Sequence, residues 1–190
     1  MSNLKFKPRI TPLDPLAADI ATAKLLQKRE RKWGKAFNVT RTIANAPAIL
    51  KMMDAVWDSL GRTSLSVGDR ELIAMEMAAS NGCHYCVPAH RYAIHEESGF
   101  DATTIEKLER VSLGQTLSDD SRLCTMQRLV RLLVEKRGGL SDTEFESFQS
   151  EGISPQQMIE TIAEIAHCTV TNFTNRLAQT PLDSFTEKHC

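Results

Sequence analysis

No window of this 190-residue sequence approaches the ~18 consecutive apolar residues that a membrane-spanning helix requires. The basic residues near its start, Lys5, Lys7 and Arg9, have no apolar segment behind them, so a secretory signal is not expected. Neither charge sign is in excess. The formal net charge is −1, and the two signs are interspersed, which leaves no basic footprint for nucleic acid or anionic lipid. Aromatic residues are few, and Val, Ile and Tyr are not gathered into alternating runs bounded by hairpin turns, so a sheet is not expected either. Five cysteines, odd in number and irregular in spacing, do not make the disulfide framework of a small secreted domain. The expectation is a cytoplasmic protein with no membrane and no nucleic-acid partner.

What is present is helix punctuation. An apolar content of 42% is enough for a hydrophobic core. We expect one all-α domain over residues 1–190, with an extended segment at 1–12, where Pro8 and Pro12 break any helix, and a C-terminal tail at 180–190. Leu16, Ile20, Ala23 and Leu26 space out the apolar face of a first helix. A second starts near Pro47, turns Ile49, Leu50, Met53, Val56, Trp57 and Leu60 inward, and stops at Gly61. Ser66 caps a third that ends at Ser80-Asn81-Gly82, and a fourth holds His90 to Glu97. Asp101 opens the next, Ser118 a longer one that ends at Gly138-Gly139, and Ser141-Asp142-Thr143-Glu144 is a capping box. Ser154-Pro155 opens the last, with Met158, Ile159, Ile162, Ile165 and Ala166 inward, and Thr180-Pro181 ends it.

The chemistry is concentrated between Glu71 and His90, in Glu71-Leu72-Ile73-Ala74 followed by Asn81-Gly82-Cys83-His84-Tyr85-Cys86-Val87-Pro88-Ala89-His90. Two cysteines three apart on a helical turn share a face, with Cα atoms roughly 5 Å apart, a distance that a disulfide accepts. His90 lies four residues beyond Cys86 and seven beyond Cys83, one or two turns along that same face. Proline belongs in a first turn and not in a helix interior, so Pro88 puts the helix start near Cys86 or Val87. Both thiols then sit at a positive helix end, whose free N–H groups favour thiolate, and Cys86 stands to gain the most. Glu71, arriving from the preceding helix, can accept a thiol proton directly or through His90. On its neighbours alone, Glu71 reads more simply as an acid complementing a helix dipole.

Other readings of these residues are weaker. Cys-x-x-Cys followed by His90 offers three zinc ligands, but structural zinc sites show four in recognisable pairs and no second pair exists, so metal is a minority option. Haem attachment fails because Val87, and not histidine, follows Cys86. Cys124 and Cys168 read as small core residues, Cys190 as a terminal thiol, His84 and His95 as surface or packing residues, and Tyr85 as a packing aromatic.

The run from Arg70-Glu71-Leu72-Ile73-Ala74 through Asn81-Gly82-Cys83-His84-Tyr85-Cys86 to Ala89-His90 resembles the AhpD-like branch of the carboxymuconolactone decarboxylase family. Asn45-Ala46-Pro47, residues 144–152 and the stretch from Asn172-Phe173-Thr174-Asn175-Arg176 to Asp183 resemble peroxidase-related members of it. The resemblance implies an AhpD-like helical bundle assembled as a homo-oligomer, a trimer or hexamer. It also implies an alkylhydroperoxidase, with peroxiredoxin-type chemistry, that reduces hydrogen peroxide or small organic hydroperoxides. By position, Cys86 would attack the peroxide, Cys83 would resolve the sulfenic acid to a disulfide, and Glu71 and His90 would relay protons. An external dithiol or disulfide-reducing protein would restore the pair, with no cofactor besides the redox-active disulfide and no metal. The best-known pattern has a second histidine where this sequence has Tyr85. A disulfide reductase or electron-relay protein, and a proton-transfer enzyme of the decarboxylase type, are the competing functions.

Overall fold

The structure, a computed structural model, describes residues 7–119 and 121–190. Among these the chain forms α1 (Ile20–Trp33), α2 (Asn38–Ile43), α3 (Pro47–Leu60), α4 (Val67–Ser80), α5 (Cys86–Glu96), α6 (Ala102–Ser112), α7 (Arg122–Glu135), α8 (Asp142–Ser150) and α9 (Pro155–Ala178). Two short 3-10 turns, Pro15–Ala17 and Glu187–His189, flank them, and the described residues contain no strand. The all-α expectation is met. No helix among them is long and apolar enough to cross a membrane. Residues 7–12 are non-helical as expected, while the rest of the segment read as extended lies outside the described residues.

Most helix ends stand where local chemistry puts them. Ser66, Ser141 and Ser154 each close a capping box, accepting from the N3 amide while the N3 side chain returns to the cap N–H. Pro47 and Pro155 occupy first turns, where their missing N–H is no loss. Two assignments shift. The long helix expected from Ser118 is capped instead by Ser121, whose side chain accepts from Cys124 N–H. Leu16, expected on the first helix, lies in a separate 3-10 turn and is exposed, as is Ile20. The inward face of α1 is carried by Thr22, Leu26 and the guanidinium of Arg29, which is held by Asp54 and Asp58 of α3.

Helix α4 is the axis of the molecule, packed on by α5, α6, α7 and α9. Its residues from Leu72 to Ala78 are all buried, the signature of a helix enclosed on every side. Leu72, Ile73 and Met75 meet Leu108, Met126, Leu129, Phe148, Ile153 and Met158 in the main core. Glu76 is the charged member of that run, and it is satisfied by Arg131 Nε at 2.6 Å and Gln127 Nε2 at 2.7 Å. Helix α9 crosses α4 with a face unlike the expected one. Ile159, Ile162 and Ala166, predicted inward, are exposed, and Ile49 of α3 is exposed as well. The buried face of α9 runs through Met158, Thr161, Glu164, Cys168, Asn172, Asn175 and Ala178. A largely polar seam therefore faces the centre of the bundle.

Candidate active site

The C-terminal turn of α4 delivers the cysteines. Asn81 N–H closes the helix on Met77 O, and Gly82 reverses the chain at φ +60°, where a side chain would be strained. Cys83, His84 and Tyr85 follow, and α5 begins at Cys86 with Pro88 in its first turn, as the sequence predicts. Cys83 and Cys86 are joined as a disulfide, with Cα atoms 5.3 Å apart. Both are buried, at 1% and 5% exposure.

The two sulfurs are held differently. The first amide of α5, Cys86 N–H, is shared between Cys83 O at 3.1 Å and Cys83 Sγ at 3.2 Å. The donor that the helix end contributes thus reaches Cys83, not the cysteine expected to gain from it. Cys86 Sγ instead receives two carboxamide donors from α9, Asn172 Nδ2 at 3.3 Å and Asn175 Nδ2 at 3.4 Å. Asn81 Nδ2 donates to Asn172 Oδ1 at 3.2 Å, in keeping with the Nδ2 end of that carboxamide pointing at sulfur. Reading the residues by apolar periodicity missed both asparagines, although they stand in the family-like stretch that begins at Asn172. The Asn-x-x-Asn spacing on one helix face was the available signal.

Glu71 on α4 and His90 on α5 are brought together, Glu71 Oε2 lying 2.8 Å from His90 Nδ1. Burial pushes the imidazole pKa down, but the Glu71 charge and hydrogen bond outweigh it with help from Glu164, and the net shift is upward from 6.5. His90 remains partly exposed, so its ring is in contact with both the interior and the surface.

The residues between the cysteines act as fasteners. His84 Nε2 lies 3.0 Å from Thr180 O. The buried Tyr85 hydroxyl donates to Asp183 Oδ2 and accepts from Val39 N–H at 3.2 Å, while Asp183 Oδ1 accepts from Asn38 N–H at 3.0 Å. The loop, the start of α2 and residues 180–183 are locked together over the disulfide. Burial and the Asp183 charge hold the Tyr85 hydroxyl well above its usual 10.0, and burial raises Asp183. Tyr85 therefore does more than fill space.

A second cluster lies within electrostatic reach. Glu164, His167 and Cys168 present ligand-type atoms within 4.8 Å of one another, and Arg70 Nε donates to Glu164 at 3.3 Å. An indole N–H can only donate, so the 2.7 Å bond from Trp57 Nε1 makes His167 Nε2 an acceptor and leaves the ring proton on Nδ1, facing Glu164 at 3.3 Å. Neither ring nitrogen then offers a lone pair to a metal. Burial, with the charges of Glu164 and Glu71, holds the Cys168 thiol well above 9.0. Cys124 is half-buried and Cys190 exposed, and both are free thiols.

Residues 47–113 match the carboxymuconolactone decarboxylase family. Solved structures of the same shape include the alkylhydroperoxidase AhpD core of an uncharacterized peroxidase-related protein from Ralstonia eutropha JMP134, 21% identical with a TM-score of 0.76 over 94% of each chain. Another is an uncharacterized peroxidase-related protein from Silicibacter sp. TM1040, 24% identical with a TM-score of 0.76, covering 98% of this chain and 100% of that one. The debrominase Bmp8 in its apo form is 16% identical with a TM-score of 0.71 over 95% of each chain. No curated protein matches. The AhpD-like fold and the resemblance read from the Glu71–His90 motif are both borne out.

Proposed function

We propose that this chain, with its carboxymuconolactone decarboxylase segment and AhpD-like fold, is a thiol-dependent peroxidase that turns over through Cys83 and Cys86. The observation that carries the reading is the buried Cys83–Cys86 disulfide on the α4–α5 turn, with the Glu71–His90 pair on the two helices that form it. An external dithiol reduces the disulfide, and the Cys86 proton leaves through His90 and Glu71. The thiolate attacks the terminal oxygen of a hydroperoxide, forming an S–O bond as the O–O bond breaks. The departing alkoxide or hydroxide takes a proton from His90. Cys83 then displaces water from the Cys86 sulfenic acid and regenerates the disulfide. Dependence on an outside dithiol suits a reducing compartment such as the cytoplasm. The exposed stripe of Ile159, Ile162, Ala166, Phe173 and Leu177 on α9 supports a homo-oligomer.

Peroxide consumption with a dithiol donor, measured for the wild type, Cys86→Ser and Cys83→Ser, is the test. The expected result is loss of turnover in both variants, and unchanged rates would remove the reading. The family match favours one alternative, a proton-transfer enzyme working through Glu71 and His90. Activity on a lactone that survives loss of both thiols would select it.

A further inference from the structure

We propose that Asn172 and Asn175 are catalytic residues that hold charge on the Cys86 sulfur, and that these α9 carboxamides select Cys86 over Cys83 as the attacking thiol. The selection of Cys86 rests on the peroxidase reading, whereas the effect on its protonation does not.

Two side-chain donors reach Cys86 Sγ, Asn172 Nδ2 at 3.3 Å and Asn175 Nδ2 at 3.4 Å. Both residues are almost fully buried, at 2% and 1% exposure. Spacing of three on one helix places both carboxamides on the face that meets Cys86. The Asn172 carboxamide is also held from the other side, by Asn81 at its Oδ1. A disulfide sulfur is a weak neutral acceptor, so two buried carboxamides aimed at it are poorly reciprocated in the oxidised state. The same donors become strong when the acceptor is a thiolate, because bonds to an ionised partner are shorter and about twice as strong. The arrangement is complementary to the reduced, charged state, as a preorganised anion site should be.

Among the described residues, Cys83 has no equivalent arrangement. Its sulfur shares the Cys86 N–H with its own carbonyl oxygen, so one donor is divided between two acceptors. An external dithiol supplies two electrons and two protons; one proton therefore stays on Cys83, the other passes to His90, and the charge stays on Cys86. The Asn175 Oδ1 atom is buried and has no hydrogen-bond partner among the described residues. It is an open acceptor beside the reacting sulfur. When the thiolate becomes a sulfenic acid, the S–O–H hydrogen is the donor that fits it, holding the oxygen while Cys83 attacks sulfur and water departs.

The experiment titrates each thiol alone. In a Cys83→Ser background, the rate of Cys86 alkylation by iodoacetamide is followed against pH, with Asn172→Ala, Asn175→Ala and the near-isosteric Asn172→Asp added in turn. Each alanine should raise the Cys86 midpoint by about one pH unit, a roughly tenfold loss in thiol acidity, and the aspartate should raise it further. Cys83, titrated in a Cys86→Ser background, should not move. The wild type supplies a readout that survives any folding defect: the carboxamide NMR resonances of Asn172 and Asn175 should shift together as the reduced site is titrated through the Cys86 midpoint. An unmoved Cys86 midpoint, or an equal shift at Cys83, overturns the proposal. A depressed Cys86 midpoint in a protein that consumes no peroxide would remove the peroxidase reading and leave the carboxamide effect standing.

Discussion

Two clusters of glutamate, histidine and cysteine lie within electrostatic reach of each other in this molecule, and the proposed reading assigns chemistry to only one. In the first, Glu71 engages one ring nitrogen of the partly exposed His90, on the two helices joined by the turn that carries the Cys83–Cys86 disulfide. In the second, His167 is engaged on both nitrogens, by the Trp57 indole and by Glu164, and the neighbouring thiol of Cys168 is buried and pushed well above 9.0. Residue types are the same in both. What differs is that, among the described residues, only one ring nitrogen of His90 is engaged, and that Cys86 faces two carboxamide donors where Cys168 has His167 Nδ1 at 3.9 Å. Glu164 still serves the first cluster at a distance, since its charge helps raise His90.

The comparison can be broken most sharply at the thiols. Cys86→Ser should lower peroxide turnover by roughly a thousandfold or more, as loss of a nucleophile does, while Cys168→Ser leaves it unchanged. Equal losses in a steady-state assay would erase the distinction between the clusters.

Glu71→Gln should cost about 10²–10⁴-fold in turnover, the usual range for an acid–base partner. It also removes the main influence raising His90, so the His90 titration, read from its ring proton shifts, should move to lower pH. Because His90 must be neutral to accept a proton, the acidic limb of peroxide turnover should follow the raised His90 titration in the wild type and move down in the variant. The stability sign is opposite in sense. A histidine with a raised pKa contributes fully below about 6.5 and loses that contribution as pH rises through the raised value. The difference in Tm between wild type and Glu71→Gln should therefore narrow as pH increases.

Tyr85→Phe should cost about 1–3 kcal/mol in a denaturant titration, because Asp183 and the Val39 N–H lose their shared partner. It should also speed reduction of the disulfide by an external dithiol, as the fastening of residues 180–183 over the site is loosened. Trp57→Phe is the smallest expected effect. Loss of one hydrogen bond to His167 should cost about 1 kcal/mol and leave peroxide turnover within about twofold.

Helix ends were legible in the sequence because caps are local. Ser66, Ser141, Ser154-Pro155 and Gly82 act through backbone groups within three or four residues of themselves. The Cys83–Cys86 spacing was legible for the same reason, whereas the Glu71–His90 pairing rested mainly on the family-like motif. The facing of α9 was not. Apolar periodicity put Ile159, Ile162 and Ala166 inward, yet the buried face carries Glu164, Cys168, Asn172 and Asn175. A polar side chain is buried when a partner satisfies it, and these partners, Arg70, Cys86 and Asn81, are more than 80 residues away in the chain. Arg29 on α1 repeats the lesson, buried on Asp54 where a charged residue reads as surface. Helix α2, short and rich in β-branched residues, gave no periodic signal at all.

The central claim is that Cys86 is the sulfur that takes oxygen from peroxide. Its most direct measurement is trapping of the sulfenic acid in Cys83→Ser with a sulfenic-acid-selective reagent after one equivalent of peroxide, located by peptide mass spectrometry. The account predicts labelling of Cys86 and none of Cys83 in the matching Cys86→Ser protein. Label on Cys83 or Cys168, or no label at Cys86, would contradict it.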